Sequence, residues 1–187
     1  MKTLGLIRED KELKVVALTP TNVEKLKEVF LVNVEKGAGD FAGFSDESYE
    51  EVGAKIYNSR SELIQNSETI ITYSSIVDVA EDQEPKILIA CYPVRNDYSF
   101  LIPYKHKQVD LFSLDLIPRT TIAQSMDPLS SLASLNGYQA AISSFWHLGS
   151  VIPLISGAGG TLKPAKVLVL GAGVAGLQAI ATAKRMG

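Results

Sequence analysis

Apolar residues along this chain come in short runs, and stretches of helical period separate them. Residues 13–18, Leu-Lys-Val-Val-Ala-Leu, read as a strand that Thr19-Pro20-Thr21 brings to an end. Thr21 and Glu24 have capping-box spacing, and Val23, Leu26, Val29 and Phe30 recur at helical spacing, which together predict a helix of about ten residues. Leu31, Val32 and Val34 then begin a second strand. A βαβ order this early favours a parallel sheet. Ser45 is placed to cap a short helix through Val52 whose acidic first turn suits the helix dipole. Further apolar runs follow at 69–73, 86–90 and 109–114, joined by helical or irregular connectors.

The segment 116–128 is polar and bounded by prolines, so it is expected to be irregular. Asp127 followed by Pro128 is a strong helix start, with the carboxylate expected to accept from the Ser130 N–H. That helix is predicted to run to about Leu148 with Leu132, Leu135, Ile142, Phe145 and Trp146 on one side. At ~1.5 Å per residue it spans ~30 Å, enough to join two domains. The glycine-rich stretch 156–161 leads through Pro164 into Ala165-Lys166-Val167-Leu168-Val169-Leu170, an apolar run with β-branched members. It feeds Gly171-Ala172-Gly173-Val174-Ala175-Gly176, a Gly-x-Gly-x-x-Gly turn, and then an alanine-rich helix.

Each glycine of that turn has a mechanical reading. Gly171 allows the tight turn, Gly173 lets the backbone approach a pyrophosphate, and Gly176 lets the helix lie against the sheet. The helix then presents unpaired N–H groups and its positive dipole end to the phosphates. A bare βα turn is the alternative, and the strand, turn and helix order argues against it. The acidic residue that holds the ribose belongs roughly 20 residues further on. The expectation is therefore the first βα unit of a dinucleotide domain, without the strands that complete a cofactor site. The predicted architecture is α/β: a Rossmann-like parallel-sheet domain over 1–126, a connecting helix over 127–149, and the start of a second dinucleotide-binding domain over 150–187.

Composition narrows the function classes. A formal net charge of -3 without a basic cluster argues against nucleic acid as a partner. Cys91 is the only cysteine, so no disulfide forms within the chain, and it reads as a small buried hydrophobe. No run approaches the ~18 apolar residues that span a bilayer, so any membrane association goes through a partner. The loop 37–46 is rich in glycine but lacks the closing Gly-Lys-Ser/Thr of a phosphate loop. His106 reads as an exposed loop residue and His147 as a late residue of the long helix; neither has metal-ligand spacing, so no metal is assigned.

Two stretches carry more than a fold signal. Leu114-Asp115-Leu116-Ile117-Pro118-Arg119-Thr120-Thr121 with Ala123-Gln124-Ser125-Met126-Asp127 and Leu129-Ser130-Ser131, then residues 166–187, resemble the NAD(H)-binding alpha subunit of proton-translocating nicotinamide nucleotide transhydrogenase. Val16-Ala17-Leu18-Thr19-Pro20, Glu35-Lys36-Gly37-Ala38-Gly39 and Gly43-Phe44-Ser45-Asp46 look like the same superfamily, which includes alanine dehydrogenase.

The resemblance implies a peripheral, dimeric, cytoplasmic subunit with two α/β domains and NAD(H) in the cleft between them. Such a subunit passes hydride to NADP(H) on a beta subunit, and a membrane component at the inner membrane couples the transfer to proton movement. It further implies that Arg119, Gln124 and Asp127 form the loop that positions the nicotinamide, with Ser130 one helical turn later. Gly171 to Gly176, with Ala172, Val174 and Ala175 between the glycines, would form the pyrophosphate turn. Hydride transfer between two nicotinamides needs no protein nucleophile, so positioning groups suffice. Gln124, Asp127 and Ser130 match the donors and acceptor of a carboxamide, and Arg119 suits a phosphate, a ribose or the second nucleotide.

This chain departs from the family at several points. Val15 stands where arginine is common, Tyr73 near a lysine of alanine dehydrogenases, and Tyr92-Pro93 where their acid/base histidine is expected. Ile122 replaces a commonly basic position. The first three differences count against amino-acid substrate chemistry, and Ile122 bears instead on part of the phosphate contact. An alanine-dehydrogenase-like soluble oxidoreductase therefore ranks second and a non-catalytic dimerisation module third; on the first reading, too, the 187-residue chain is expected to be inactive by itself.

Overall fold

A computed structural model of the chain describes residues 1–10, 13–73, 87–92, 94, 97–118 and 120–187. It divides into two compact units, Met1–Ile117 and Pro118–Gly187.

The first unit is built on a parallel sheet. Its strands are β1 (Lys2–Leu6), β2 (Phe30–Glu35), β3 (Lys55–Tyr57), β4 (Thr69–Ile71), β5 (Ile87–Ala90) and β6 (Asp110–Ser113). They lie in the order β3-β2-β1-β4-β5-β6, every neighbour parallel. Strands buried on both faces need apolar residues at successive positions, and the sequence supplies them. Leu6, Val32 and Val34 point to one side, where they meet Val23 of α1 (Pro20–Leu26) and Tyr49 of α2 (Asp46–Glu51). Ile7, Ile70 and Leu88 join Leu63 and Ile64 of α3 (Arg60–Gln65) and Tyr104 in a second cluster.

The first strand is Lys2–Leu6, and the expected strand over 13–18 is corrected. Lys2–Leu6 takes the central position between β2 and β4. Val16, Ala17 and Leu18 pack on the core as irregular backbone, and the Leu18 carbonyl accepts from the Tyr49 hydroxyl at 2.8 Å. Gly5 fits β1 because a Cβ there would lie 2.7 Å from atoms of Leu63, Ser67 and Ile70. Its register partner Asn33 turns a buried amide to the end of α3, donating to the Asn66 carbonyl at 2.8 Å and to Ser67 Oγ at 3.0 Å.

The cap of α1 is Thr19, not Thr21. Asn22 takes the reciprocal place, with the Thr19 N–H donating to Asn22 Oδ1 at 3.0 Å and the Asn22 N–H to Thr19 Oγ1 at 3.4 Å. Pro20 at the first helical position has its φ already set for a helix. The helix is seven residues long, since Phe30 belongs to β2 and Val29 is exposed. Ser45 does occupy the cap position of α2, but its side chain makes no cap bond.

At the carboxyl ends of β1 and β2 a charged cluster ties three elements together. Glu35 Oε2 accepts from the Arg8 N–H at 2.8 Å and from Arg60 Nε at 3.0 Å, and Arg60 Nη2 donates to the Arg8 carbonyl at 2.6 Å. The Arg8 guanidinium lies 5.2 Å from the centre of the Phe41 ring, holding the glycine-rich loop.

The second unit contains α4 (Pro128–His147), a short antiparallel hairpin of β7 (Ile155–Gly157) and β8 (Gly160–Leu162), and α5 (Val174–Arg185). The start of α4 is as expected. Its buried side is as expected only in part: Phe145 is buried and Leu132 and Ile142 are half-buried, whereas Leu135 and Trp146 are exposed and Gly137 and Ala141 are buried. The expected strand over 165–170 joins no ladder among the described residues. A strand needs a hydrogen-bonded neighbour, and Leu168 and Leu170 stand 84% and 90% exposed.

Candidate functional site

Within the second unit, two short segments converge on one cleft of about 590 Å³, in the range of small-molecule sites. One wall is Gln124, Asp127, Leu129, Ser130 and Ala133. The other is Leu170, Gly171 and residues 173–176.

The first wall is a helix start. Residues 123–126 make a single 3-10 turn, and the chain then extends at Asp127, which opens α4. Asp127 Oδ1 accepts from the Leu129 N–H at 2.9 Å, and Oδ2 accepts from the Ser130 hydroxyl at 2.6 Å. Leu129 thus takes the backbone-donor role expected of Ser130, which contributes its hydroxyl instead. Asp127 is buried and Ser130 partly so, whereas Gln124 is exposed and its side-chain amide has no hydrogen bond among the described residues. Arg119 lies outside the described residues.

The second wall is the glycine turn. Gly171 has φ +106, a conformation that side chains rarely adopt. A Cβ on Gly176 would collide with the Gly171 carbonyl, so the turn closes on its own backbone. At Gly173 a Cβ would meet nothing within 4 Å, which leaves open space beside its backbone. Gly173 is also the N-cap of α5 and supplies no side-chain acceptor. The N–H groups of the first turn of α5 thus meet the cleft without a cap, whereas α4 begins under the carboxylate of Asp127. Of the two positive helix ends, the one at α5 is left for an anion.

Of the expected turn residues, Gly171, Gly173, Val174, Ala175 and Gly176 line the cleft, and Ala172 does not. Sequence reasoning passed over Leu129, Ala133 and Leu170. The periodic signal for Ala133 was present, because it lies three residues beyond Ser130 on the same helix face.

In the first unit, the carboxyl edge of the sheet carries a separate polar group. Glu9, only 4% exposed, accepts from Thr72 Oγ1 at 2.8 Å and from the Tyr73 N–H. These residues follow β1 and β4, the two strands between which the strand order reverses. Burial, reinforced by Cys91 and Glu9, raises the Tyr73 phenol above its ordinary range. Tyr92 is pushed up further, mainly by burial and then by Tyr104. Cys91 is buried, and His106 and His147 are exposed. Among the described residues no group of His, Cys, Asp or Glu is arranged to hold a metal ion, and no helix is long and apolar enough to cross a membrane.

A doubly wound parallel sheet and a glycine turn that opens a helix make this a Rossmann-like α/β protein. The sequence model of the alanine dehydrogenase/PNT N-terminal domain matches residues 5–136, and that of the C-terminal domain of the same family matches 140–187. The chain belongs to the alanine dehydrogenase/PNT family. It is 38% identical over 194 aligned positions to the first part of the NAD(P) transhydrogenase subunit alpha of Rickettsia prowazekii, covering 100% of this chain and 51% of that protein. The crystal structure of transhydrogenase from Sinorhizobium meliloti superposes with a TM-score of 0.90 at 34% identity, over 100% of this chain and 54% of the other. An L-alanine dehydrogenase structure shares the fold, with a TM-score of 0.75 at 22% identity over 99% of this chain and 52% of the other. The chain thus spans about half the length of the relatives it matches.

Proposed function

We propose that this chain forms the NAD(H)-binding part of a proton-translocating NAD(P) transhydrogenase alpha subunit. The observation that carries the reading is the cleft shared by Asp127 and Ser130 on one wall and Gly171 and Gly173 on the other. The residues fit a dinucleotide: Gly173 leaves room for a pyrophosphate, and the uncapped N–H groups of α5 are its natural donors. Bound NADH would supply the hydride, destined for NADP⁺ on a partner subunit.

Gln124, Asp127 and Ser130 orient the carboxamide. The Gln124 amide both donates and accepts, the Asp127 carboxylate is an acceptor, and the Ser130 hydroxyl can accept while it donates to Asp127. Arg119 is assigned to phosphate or ribose by family resemblance. No group here acts as nucleophile or base; the residues bind and orient. In the same proposal the subunit is a homodimer, peripheral to the inner membrane through a beta subunit and a membrane proton channel. The experiment is calorimetric titration of the full-length protein with NADH, followed by a hydride-transfer assay to NADP⁺ with and without the partner subunits. Saturable NADH binding, with turnover only when the partner is added, supports the proposal; no heat at millimolar NADH overturns it.

A further inference from the structure

Where α4 and α5 meet, a Cβ built on Gly137 would collide with the backbone carbonyl of Ala175. Gly137 is buried in α4, one turn beyond Ala133 of the cleft wall, and Ala175 lies in the first turn of α5, on the opposite wall. One turn earlier in α4, Ser134 Oγ donates to Gln178 Oε1 at 3.4 Å, and Gln178 Nε2 donates to Thr182 Oγ1 at 3.3 Å. The closest approach of the two helices is therefore set by a backbone carbonyl resting where a side chain would be. A rigid contact of that kind cannot yield by rotating a side chain.

We propose that Gly137 is a positioning residue for the nucleotide: by allowing the Ala175 carbonyl into contact, it fixes the distance between the Asp127–Ser130 helix start and the glycine turn. The inference rests on the reading of the cleft as the NAD(H) site. Any side chain at 137 moves the first turn of α5 away from α4 and widens the cleft. A ligand that touches both walls then loses contacts, while one held by the glycine turn alone does not. NADH is the first kind, with its nicotinamide at Gln124, Asp127 and Ser130. ADP, which carries the pyrophosphate without the nicotinamide, is the second.

The test compares calorimetric titrations of NADH and of ADP in the full-length protein and in its Gly137→Ala variant, with circular dichroism and thermal melting as checks on folding. NADH binding is expected to weaken by about tenfold to a hundredfold, the size of effect an ångström of misplacement produces, while ADP binding stays within about twofold. Equal NADH affinity in the variant, or a parallel fall for both ligands, overturns the inference. If the unaltered protein binds neither ligand, it is the assignment of the cleft that fails instead. Should Gly137→Ala not fold, Gln178→Leu removes the hydrogen bonds to Ser134 and Thr182 at similar volume. The same split, smaller in size, is then required, and parallel loss again overturns the proposal.

Discussion

The Ser130 hydroxyl donates to Oδ2 of Asp127 at 2.6 Å, so the residue that starts α4 and the first polar side chain on its cleft face form one unit. The carboxylate stabilises the helix start and holds the hydroxyl in a single orientation. Asp127→Ala is expected to lower stability by about 1 kcal/mol through loss of the cap. Ser130→Ala removes one hydrogen bond and should cost about 1 kcal/mol or less in stability. Both are expected to weaken NADH binding by about tenfold, as loss of a positioned hydrogen bond does. Urea denaturation and NADH titration of the two variants check this; unaltered affinity in both would remove Asp127 and Ser130 from the site.

The three glycines of the turn should fail in three different ways. Gly173 has φ -76, ordinary for any residue, and open space at its Cβ position. Gly173→Val is therefore expected to leave stability within about 0.5 kcal/mol while blocking approach of a pyrophosphate. Gly171→Ala forces a side chain into φ +106 and should cost about 1–2 kcal/mol. Gly176→Ala sets a methyl group against the Gly171 carbonyl and should lower both stability and affinity. Thermal melts beside titrations separate the three.

Removing Glu35 should loosen the first unit without touching the cleft. Its carboxylate receives the Arg8 N–H and Arg60 Nε, and its side chain is 15% exposed. Glu35→Ala leaves a backbone donor and a guanidinium short of an acceptor, at a cost of about 1–3 kcal/mol. Urea midpoints should fall while NADH affinity holds.

Alkaline pH should destabilise the first unit. Burial, with Asp46 nearby, raises Tyr49 to about 12, above the ordinary value of 10.0. Above pH 10 the unfolded chain has released the proton that the folded chain keeps. The stability present below pH 10 is then lost as pH rises towards 12, by at most about 1.4 kcal/mol per unit from this group. Tyr73 and Tyr92 are raised as well and add to the same trend. Unfolding free energies measured between pH 8 and 12 should fall more steeply in the unaltered protein than in Tyr49→Phe, itself less stable at neutral pH by about 1 kcal/mol because the Leu18 carbonyl loses its donor.

Much of this structure is legible in the sequence wherever a local rule decides. Asp127 before Pro128 gave the start of α4 to the residue, and the glycine spacing placed the start of α5. The errors arise where tertiary packing overrides local pattern. Lys2–Leu6 is a central strand despite Gly5, because α3 occupies the space of the missing side chain. Residues 13–18 look like a strand and are not, because the sheet position is taken and Leu18 bonds to Tyr49 instead. Phe145 is buried as its spacing suggests, but Trp146 and Leu135 are exposed, and Gly137 is buried because close contact with α5 at that position admits no side chain. The convergence of residues 124–133 and 170–176 on one cleft depends on how α4 and α5 pack, which no local pattern encodes.

Titration of the full-length protein with NADH, run beside the Gly173→Val variant, is the most direct measurement of the central claim. A single saturable site in the parent, weakened by about tenfold or more in a variant that melts at the same temperature, is the predicted result. Equal binding in both proteins, or none in the parent at millimolar NADH, would contradict it.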